Sequence, residues 1–268
     1  MLGLGVGIGK KTSVVQTAVS PSDISGLDVW FKVNTGITAA SGNTSDAGNM
    51  RDGEDINSWD DQSGNDRNAS QTTTSRKPHW ETDSADFGGL VWPDDTADTH
   101  LNMATNVGGD TDNIEASEDF TIMIRVKLTD FSTAMGLIGS ASKEVIKWTS
   151  STRVGVFIGG NTPIIEFEEG EDDLATDTYY IHTLTRKDGS TGNLTYHING
   201  GSYNDKFWDD DGSTRQDTDA FTLNNIGCAA DSALPTEGVF KDVLVWKGTA
   251  LSDSQRSDMY TYINGQDY

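Results

Sequence analysis

A single cysteine, Cys228, stands among 268 residues, so no disulfide can close within the chain and its stability has to come from burial, bound ions or subunit contacts. Basic residues are scarce: nineteen Lys and Arg face forty-two Asp and Glu, for a formal charge of -23 at pH 7. A phosphate-neutralising surface needs clustered cations, so nucleic acid is not an expected partner. The acidic excess fits a saline medium, bound divalent cations or a demand for solubility. No apolar run approaches the roughly 20 residues that cross a bilayer as a helix, so a membrane is not expected as a partner either. The four histidines show neither His-x-His nor His-Glu-x-x-His spacing, which argues against zinc. Phosphate-binding loops, nucleophile elbows and dinucleotide fingerprints are all missing.

What the chain has is glycine, twenty-nine of them against five prolines, with abundant Asp, Asn, Ser and Thr. These residues favour turns over helix interiors, and the composition therefore predicts many short strands. Residues 1–22 are Gly-rich, then Ser/Thr/Val-rich, and end near Pro21 without any amphipathic period. The opening MLGLGVGIGKK places its lysines after the apolar run, which fits an arm docking on a partner better than an export signal. From Leu27 the apolar residues alternate through Val29, Phe31 and Val33, the period of a half-buried strand. The clearest strand is Phe120 to Leu128, with Phe120, Ile122, Ile124, Val126 and Leu128 on one face. Further strands are expected at Met135–Ile138, Arg153–Ile158, Ile164–Phe167, Tyr179–Arg186, Leu194–Asn199, Phe221–Leu223 and Val239–Trp246.

Lys187 to Asn193 reads as a hairpin loop. A symmetric register would set Tyr180, His182 and Leu184 opposite Asn199, His197 and Thr195. One helix is expected near the end, where Ser252 and Gln255 form a capping box, Met259 and Ile263 share a face and Gly265 supplies the stop.

The order of motifs resembles a known family. Leu27-Asp-Val-Trp-Phe31, then Ile56-Asn-Ser-Trp-Asp-Asp-Gln-Ser-Gly-Asn65 and Asn68-Ala-Ser-Gln71, resemble the opening of concanavalin A-like, LamG-type domains. Phe120-Thr-Ile122 is similar to that family's core strand. Leu184 to Gly200 is similar to its hairpin, and Ile226-Gly227, Phe240 to Trp246 and Ala250 to Arg256 to its last strand and helix. The resemblance implies an all-β, two-sheet jelly-roll sandwich over residues 23–268, with a short C-terminal helix and an extended N-terminal arm over residues 1–22. Such domains occur in structural proteins of tailed phages. By that analogy the expected function is a virion protein made in the host cytoplasm: a capsid decoration, neck or tail appendage, or fibre. It would be held to other virion proteins by the arm, would be a homo-oligomer, and would attach to host-surface glycans. The alternatives are a secreted, extracellular carbohydrate-binding lectin module and a laminarinase-type glycoside hydrolase.

Candidate sites are few. A laminarinase-like enzyme on the fold that the resemblance implies would need two or three carboxylates alternating along one strand, at the separation that retention demands. Only Glu166-Phe-Glu168-Glu169 offers them, and Glu169 breaks the parity, so no catalytic residue is assigned and the chain is not expected to be an enzyme. Glycan binding is expected of Tyr180, His182, His197 and Asn199, a polar aromatic strip able to stack on a sugar and bond its hydroxyls, and of Trp208. Trp80 and Trp92 lie among Asp, Gly and Pro, where an indole either serves recognition or covers the sandwich edge, whereas Trp30, Trp59 and Trp246 are core candidates. Calcium is the one cofactor considered. Its candidate ligands are Asp60, Asp61 and Asn65 in one turn and Asp209 and Asp211 in another; solvated turns are the competing reading of both.

Overall fold

The computed structural model describes residues 19–82, 88–93, 99–103, 114–130, 134–141, 144–150, 153–159, 165–166, 174–188, 191–202, 218–228 and 234–266. In chain order their strands are β1 Leu27–Lys32, β2 Ile37–Ala39, β3 Ile56–Trp59, β4 Ala69–Ser70, β5 His79–Glu81, β6 Gly89–Trp92, β7 Leu101–Met103, β8 Phe120–Leu128 and β9 Met135–Ala141. They continue as β10 Glu144–Ser150, β11 Arg153–Phe157, β12 Ile165–Glu166, β13 Tyr179–Lys187, β14 Asn193–Ile198, β15 Gly201–Ser202, β16 Asn225–Ile226 and β17 Gly238–Lys247, followed by helix α1, Asp253–Asn264.

The strands build two antiparallel sheets. One runs β15-β14-β13-β8-β17-β6-β5, with β1 also paired to β17; the other runs β12-β11-β10-β9-β16-β7-β4-β3-β2. The two-sheet sandwich with a C-terminal helix is the fold that the pattern and the resemblance predict. Between the sheets Phe31, Ile124, Phe240 and Val243 of the first meet Ile37, Trp59, Leu101, Ile138 and Trp148 of the second in one continuous core. Trp80 and Trp92 belong to that core, at 5% and 0% exposure, and are not recognition residues. Phe221, expected to open a strand, makes only an isolated bridge with Ile114, while β10 had no counterpart in the sequence reading. No helix among the described residues is long and apolar enough to cross a membrane.

Strand β8 departs from simple alternation, because all nine of its residues are buried. Its inward face fills the core, as expected. Its outward face is covered too: Met123 packs with Ile181, Leu244 and Trp246 under Leu251, Met259 and Ile263 of the helical end of the chain. Helix α1 is capped as its sequence predicts, with Ser252 Oγ accepting the Gln255 N–H at 3.3 Å and Gln255 Oε1 accepting the Ser252 N–H at 2.9 Å. At its other end Arg125 Nη1 donates to the Ile263 carbonyl at 3.1 Å, placing a cation at the negative pole of the helix.

Arg125 stands opposite Asp242 across β8 and β17, and Lys32 stands opposite Asp242 across β1 and β17. Asp242 is 2% exposed and among the described residues one of its oxygens, Oδ2, has no hydrogen-bond partner. Burial pushes its carboxyl up to about 7, against the opposing pull of Arg125, the Val33 N–H, Lys32 and Lys241.

The segment from Trp59 to Asn65 closes the open edge of β1, whose backbone groups would otherwise be free to pair with another chain. Trp59 Nε1 donates to the Lys32 carbonyl at 3.0 Å, and the Trp30 N–H donates to Asp61 Oδ1 at 2.8 Å. Ser63 Oγ donates to the Asp28 carbonyl at 2.9 Å, and Asn65 Nδ2 to the carbonyls of Leu27 and Asp28 at 3.0 and 3.1 Å. Alternate residues thus run antiparallel to β1 and meet its edge with side chains, joined by one backbone bond from the Gln62 N–H to the Trp30 carbonyl at 2.7 Å.

Two outcomes follow from this packing. Replacing Asp61 by Ala strands the N–H groups of Trp30, Ser63 and Arg67, which it now accepts; a loss of about 2–3 kcal/mol is expected, read as a lower urea midpoint at unchanged slope. Asp242 holds a proton in the folded state up to about pH 7 that the unfolded chain releases near the ordinary aspartate value of 3.8, so its contribution to stability falls as pH rises through that window. The variant Asp242→Asn, neutral throughout, should therefore gain on the wild type by about 1–4 kcal/mol between about pH 4 and pH 7 in urea titrations. A pH-independent difference would show the carboxyl ionised across the range.

Candidate functional site

A cleft of about 730 Å³ lies where the outer face of the β13–β14 hairpin meets helix α1. The hairpin contributes Thr185, Lys187, Thr195, His197 and Asn199, and the helix contributes Ser252, Asp253, Arg256, Ser257 and Tyr260. Thr121 Oγ1 anchors the wall from beneath, accepting the Leu251 N–H at 2.9 Å and lying 3.4 Å from Thr185 Oγ1. Arg256 is held by the Leu251 carbonyl at 2.8 Å and by the Asp253 carboxylate, so its guanidinium is fixed along one wall. Asn199 sits in the left-handed region at φ 51 and ties the end of β14 to β13: its N–H donates to the Ile181 carbonyl and its Oδ1 accepts the Ile181 N–H, both at 3.0 Å. Hydroxyls, a carboxamide, an imidazole and a phenol ring therefore converge on one concave space from two rigid elements.

Two of the five expected glycan-binding residues, His197 and Asn199, line this cleft. Tyr180 and His182 do not join them, because the strip they were to form depends on a register that the hairpin does not have. Observed pairs are His182 with Ile198, Thr183 with His197 and Leu184 with Tyr196. The hairpin closes at Lys187 and Asn193 around Asp188 to Gly192, a loop of odd length with Asp188 at φ 60 and Gly192 at φ 63. Changing the parity of the loop moves one strand by a residue and turns its side chains to the opposite face. His182 is thereby sent into the core, where its Nδ1 and the Tyr196 hydroxyl share a hydrogen bond of 2.9 Å and the Trp148 ring lies edge-on at 5.3 Å. Burial pushes its imidazole down to about 3 and the Tyr196 phenol well up, so both are neutral structural groups. Trp208 lies outside the described residues.

Asp60, Asp61 and Asn65 do not fit a calcium ion, which needs several oxygens converging on one point. Asp61 Oδ1 already accepts the N–H groups of Trp30 and Ser63, and Oδ2 accepts the Arg67 N–H at 3.2 Å, with Ser63 Oγ 2.6 Å away. Asn65 turns its NH2 group, a donor, to the edge of β1. Burial, and next to it the Asp46 carboxylate, raise the carboxyl of Asp60 above its usual range. Among the described residues no three His, Cys, Asp or Glu side chains are placed to share a metal. Asp209 and Asp211 lie outside the described residues, as do Glu168, Glu169 and the side chain of Glu166.

Sequence reasoning missed Tyr260, Arg256 and Ser257. Their signal was present: Asp253, Arg256, Ser257 and Tyr260 recur at the spacing of one helix face, opposite in kind to the buried Met259 and Ile263.

No family model and no curated protein sequence matches this chain. Solved structures do. A mutant of Trypanosoma rangeli sialidase displaying trans-sialidase activity is similar over 90% of this chain at 14% identity and a TM-score of 0.49. Domain 4 of AbnA, a GH43 extracellular arabinanase from Geobacillus stearothermophilus solved with arabinotriose, is similar over 87% of this chain and 98% of its own length, at 12% identity and a TM-score of 0.47. The Ruminococcus gnavus IT-sialidase CBM40, bound to alpha2,3 sialyllactose, is similar over 53% of this chain and 80% of its own, at 16% identity and a TM-score of 0.38. The chain spans about a third of the length of the sialidases. Identities this low, at TM-scores below 0.5, leave activity unassigned. Sialidases and a domain of an arabinanase are among these structures, so the expectation that the chain is not an enzyme is corrected and withdrawn.

Proposed function

We propose that this chain is a carbohydrate-binding β-sandwich and that a glycan sits in the cleft between the β13–β14 hairpin and helix α1. The observation that supports it is the lining itself. Thr185, Thr195 and Asn199 on the sheet side and Ser252, Ser257 and Tyr260 on the helix side can donate and accept toward the same small volume. Tyr260 adds an amphipathic ring at the rim. A sugar offers hydroxyls for the first group and an apolar ring face for the second. The helix wall is held by its cap, by Arg125 and by its apolar stripe, so the site is preorganised and little ordering opposes binding.

The finer setting is a virion appendage, homo-oligomeric, attached to other virion proteins through residues 1–22 and presenting the cleft to host-surface glycans; the motif order of the sequence supports it by analogy. An extracellular lectin module is the alternative setting for the same site.

Both levels have direct tests. On a glycan array the full-length protein should bind a defined set of glycans, and Tyr260→Ala should weaken at least one of them by about tenfold or more in a protein that thermal unfolding shows to be still folded. An array on which no glycan's binding depends on Tyr260 would remove the cleft from consideration. Mass spectrometry of purified particles should find the chain at fixed stoichiometry if the virion setting is right, and its absence from them would leave the extracellular one.

A further inference from the structure

The face of the nine-stranded sheet turned away from the core carries a feature that the cleft does not involve. Directly opposed residues line up strand by strand: Thr38 with Ser58, Ser58 with Ser70, Ser70 with Asn102 and Asn102 with Asn225. Their strand neighbours Ile37, Trp59, Ala69, Leu101 and Ile226 point into the core, so alternation turns all five of these side chains outward. Register in a half-buried sheet is set by its buried face, and here it has stacked five short hydroxyl and carboxamide side chains in one transverse row. At about 4.8 Å per strand the row is roughly 19 Å long.

Among the described residues none of the five side chains makes a hydrogen bond to the protein. That sets them apart from the Trp59–Asn65 segment, whose polar side chains are committed to β1. Thr38, Ser58, Ser70 and Asn102 are partly exposed. Asn225 closes the row at 3% exposure, and its Oδ1 is a buried acceptor without a partner among the described residues. A buried amide oxygen left unsatisfied in a folded protein marks a place where a ligand or an ordered water completes the structure.

We propose that this row is a second binding surface, for a neutral oligosaccharide laid across the strands with its end at the Asn225 amide. The row has no charge in a molecule of formal charge -23, so it has nothing to hold an anion. It lacks the Trp, Tyr and Arg anchors that carry protein–protein contacts. Paired donors and acceptors at regular spacing match a chain of hydroxyls. The inference rests on the carbohydrate reading but not on the cleft.

Titration calorimetry on the full chain with laminarihexaose, cellohexaose and mannohexaose separates the two surfaces. The expected result is that at least one of these probes binds, that the double variant Ser70→Ala, Asn102→Leu weakens it by about tenfold or more, and that Tyr260→Ala leaves it unchanged. Thermal unfolding of each variant controls for folding, and the single variant Ser58→Ala, expected to weaken binding severalfold, stands in if the double variant is unfolded. Wild-type affinity in the folded row variants, or no binding of any probe by the wild type, overturns the row. Loss confined to Tyr260→Ala overturns it as well while leaving the cleft in place, whereas loss confined to the row variants supports the row and leaves the cleft to be judged by the glycan array.

Discussion

The pairing of β8 with β17 is the interaction on which the rest of the molecule is assembled. Nine residues of one strand and ten of the other are buried almost without exception, and their ladder runs from Phe120 and Lys247 to Leu128 and Gly238. On one side β17 also holds β6 and β1, and on the far side of β8 lies β13, which carries the hairpin. Inward residues of this pair make the floor of the core, and outward ones seat the helix. Loss of this ladder would separate the cleft from its own support.

Covering the outer face of a sheet with a helix has a consequence for charge. Positions that would have met water on a two-layer sandwich, such as Arg125, Lys127 and Asp242, are at most 8% exposed here. Cations at such positions are accommodated by specific contacts. Arg125, Lys127 and Lys241 gather over the Tyr179 ring at 5.3, 5.1 and 4.3 Å, and Arg125 also grips the end of α1. The helix is thus fixed by an apolar stripe along its length and by a charged contact at its end, and the cleft inherits that rigidity. The cleft and the polar row both lie on packed elements, which would limit the entropy lost if a ligand were ordered there.

The two surfaces proposed for glycans illustrate different ways in which an all-β scaffold can present hydroxyl-binding groups. In the cleft they come from two elements of different geometry and enclose a space. On the second sheet they come from the pleat alone, one side chain per strand, and make a flat track. The turn from Asp60 to Asn65 shows the third fate of the same residue types: there Asp, Ser and Asn are consumed in protecting an edge. Composition cannot separate these fates, because an Asn that binds a ligand and an Asn that closes a strand edge look alike in sequence.

The two-layer β architecture, the long strand at Phe120 to Leu128, and the helix with its Ser252 and Gln255 cap were legible in the sequence, because each is written in local periodicity or in capping chemistry over a few residues. The site was only half legible. His197 and Asn199 were singled out, but the partners assigned to them were wrong, since the face on which a strand residue lies depends on the parity of a loop and not on the strand itself. Trp80 and Trp92 sit beside polar residues in the chain and in the core in space. The meeting of Tyr260 with the hairpin, the closing of β1 by Asp61, and the row from Thr38 to Asn225 join residues far apart along the chain. Local pattern determined what the pieces are; only long-range register and packing decided which side chains face one another, because those are fixed by burial of the whole and by no single segment.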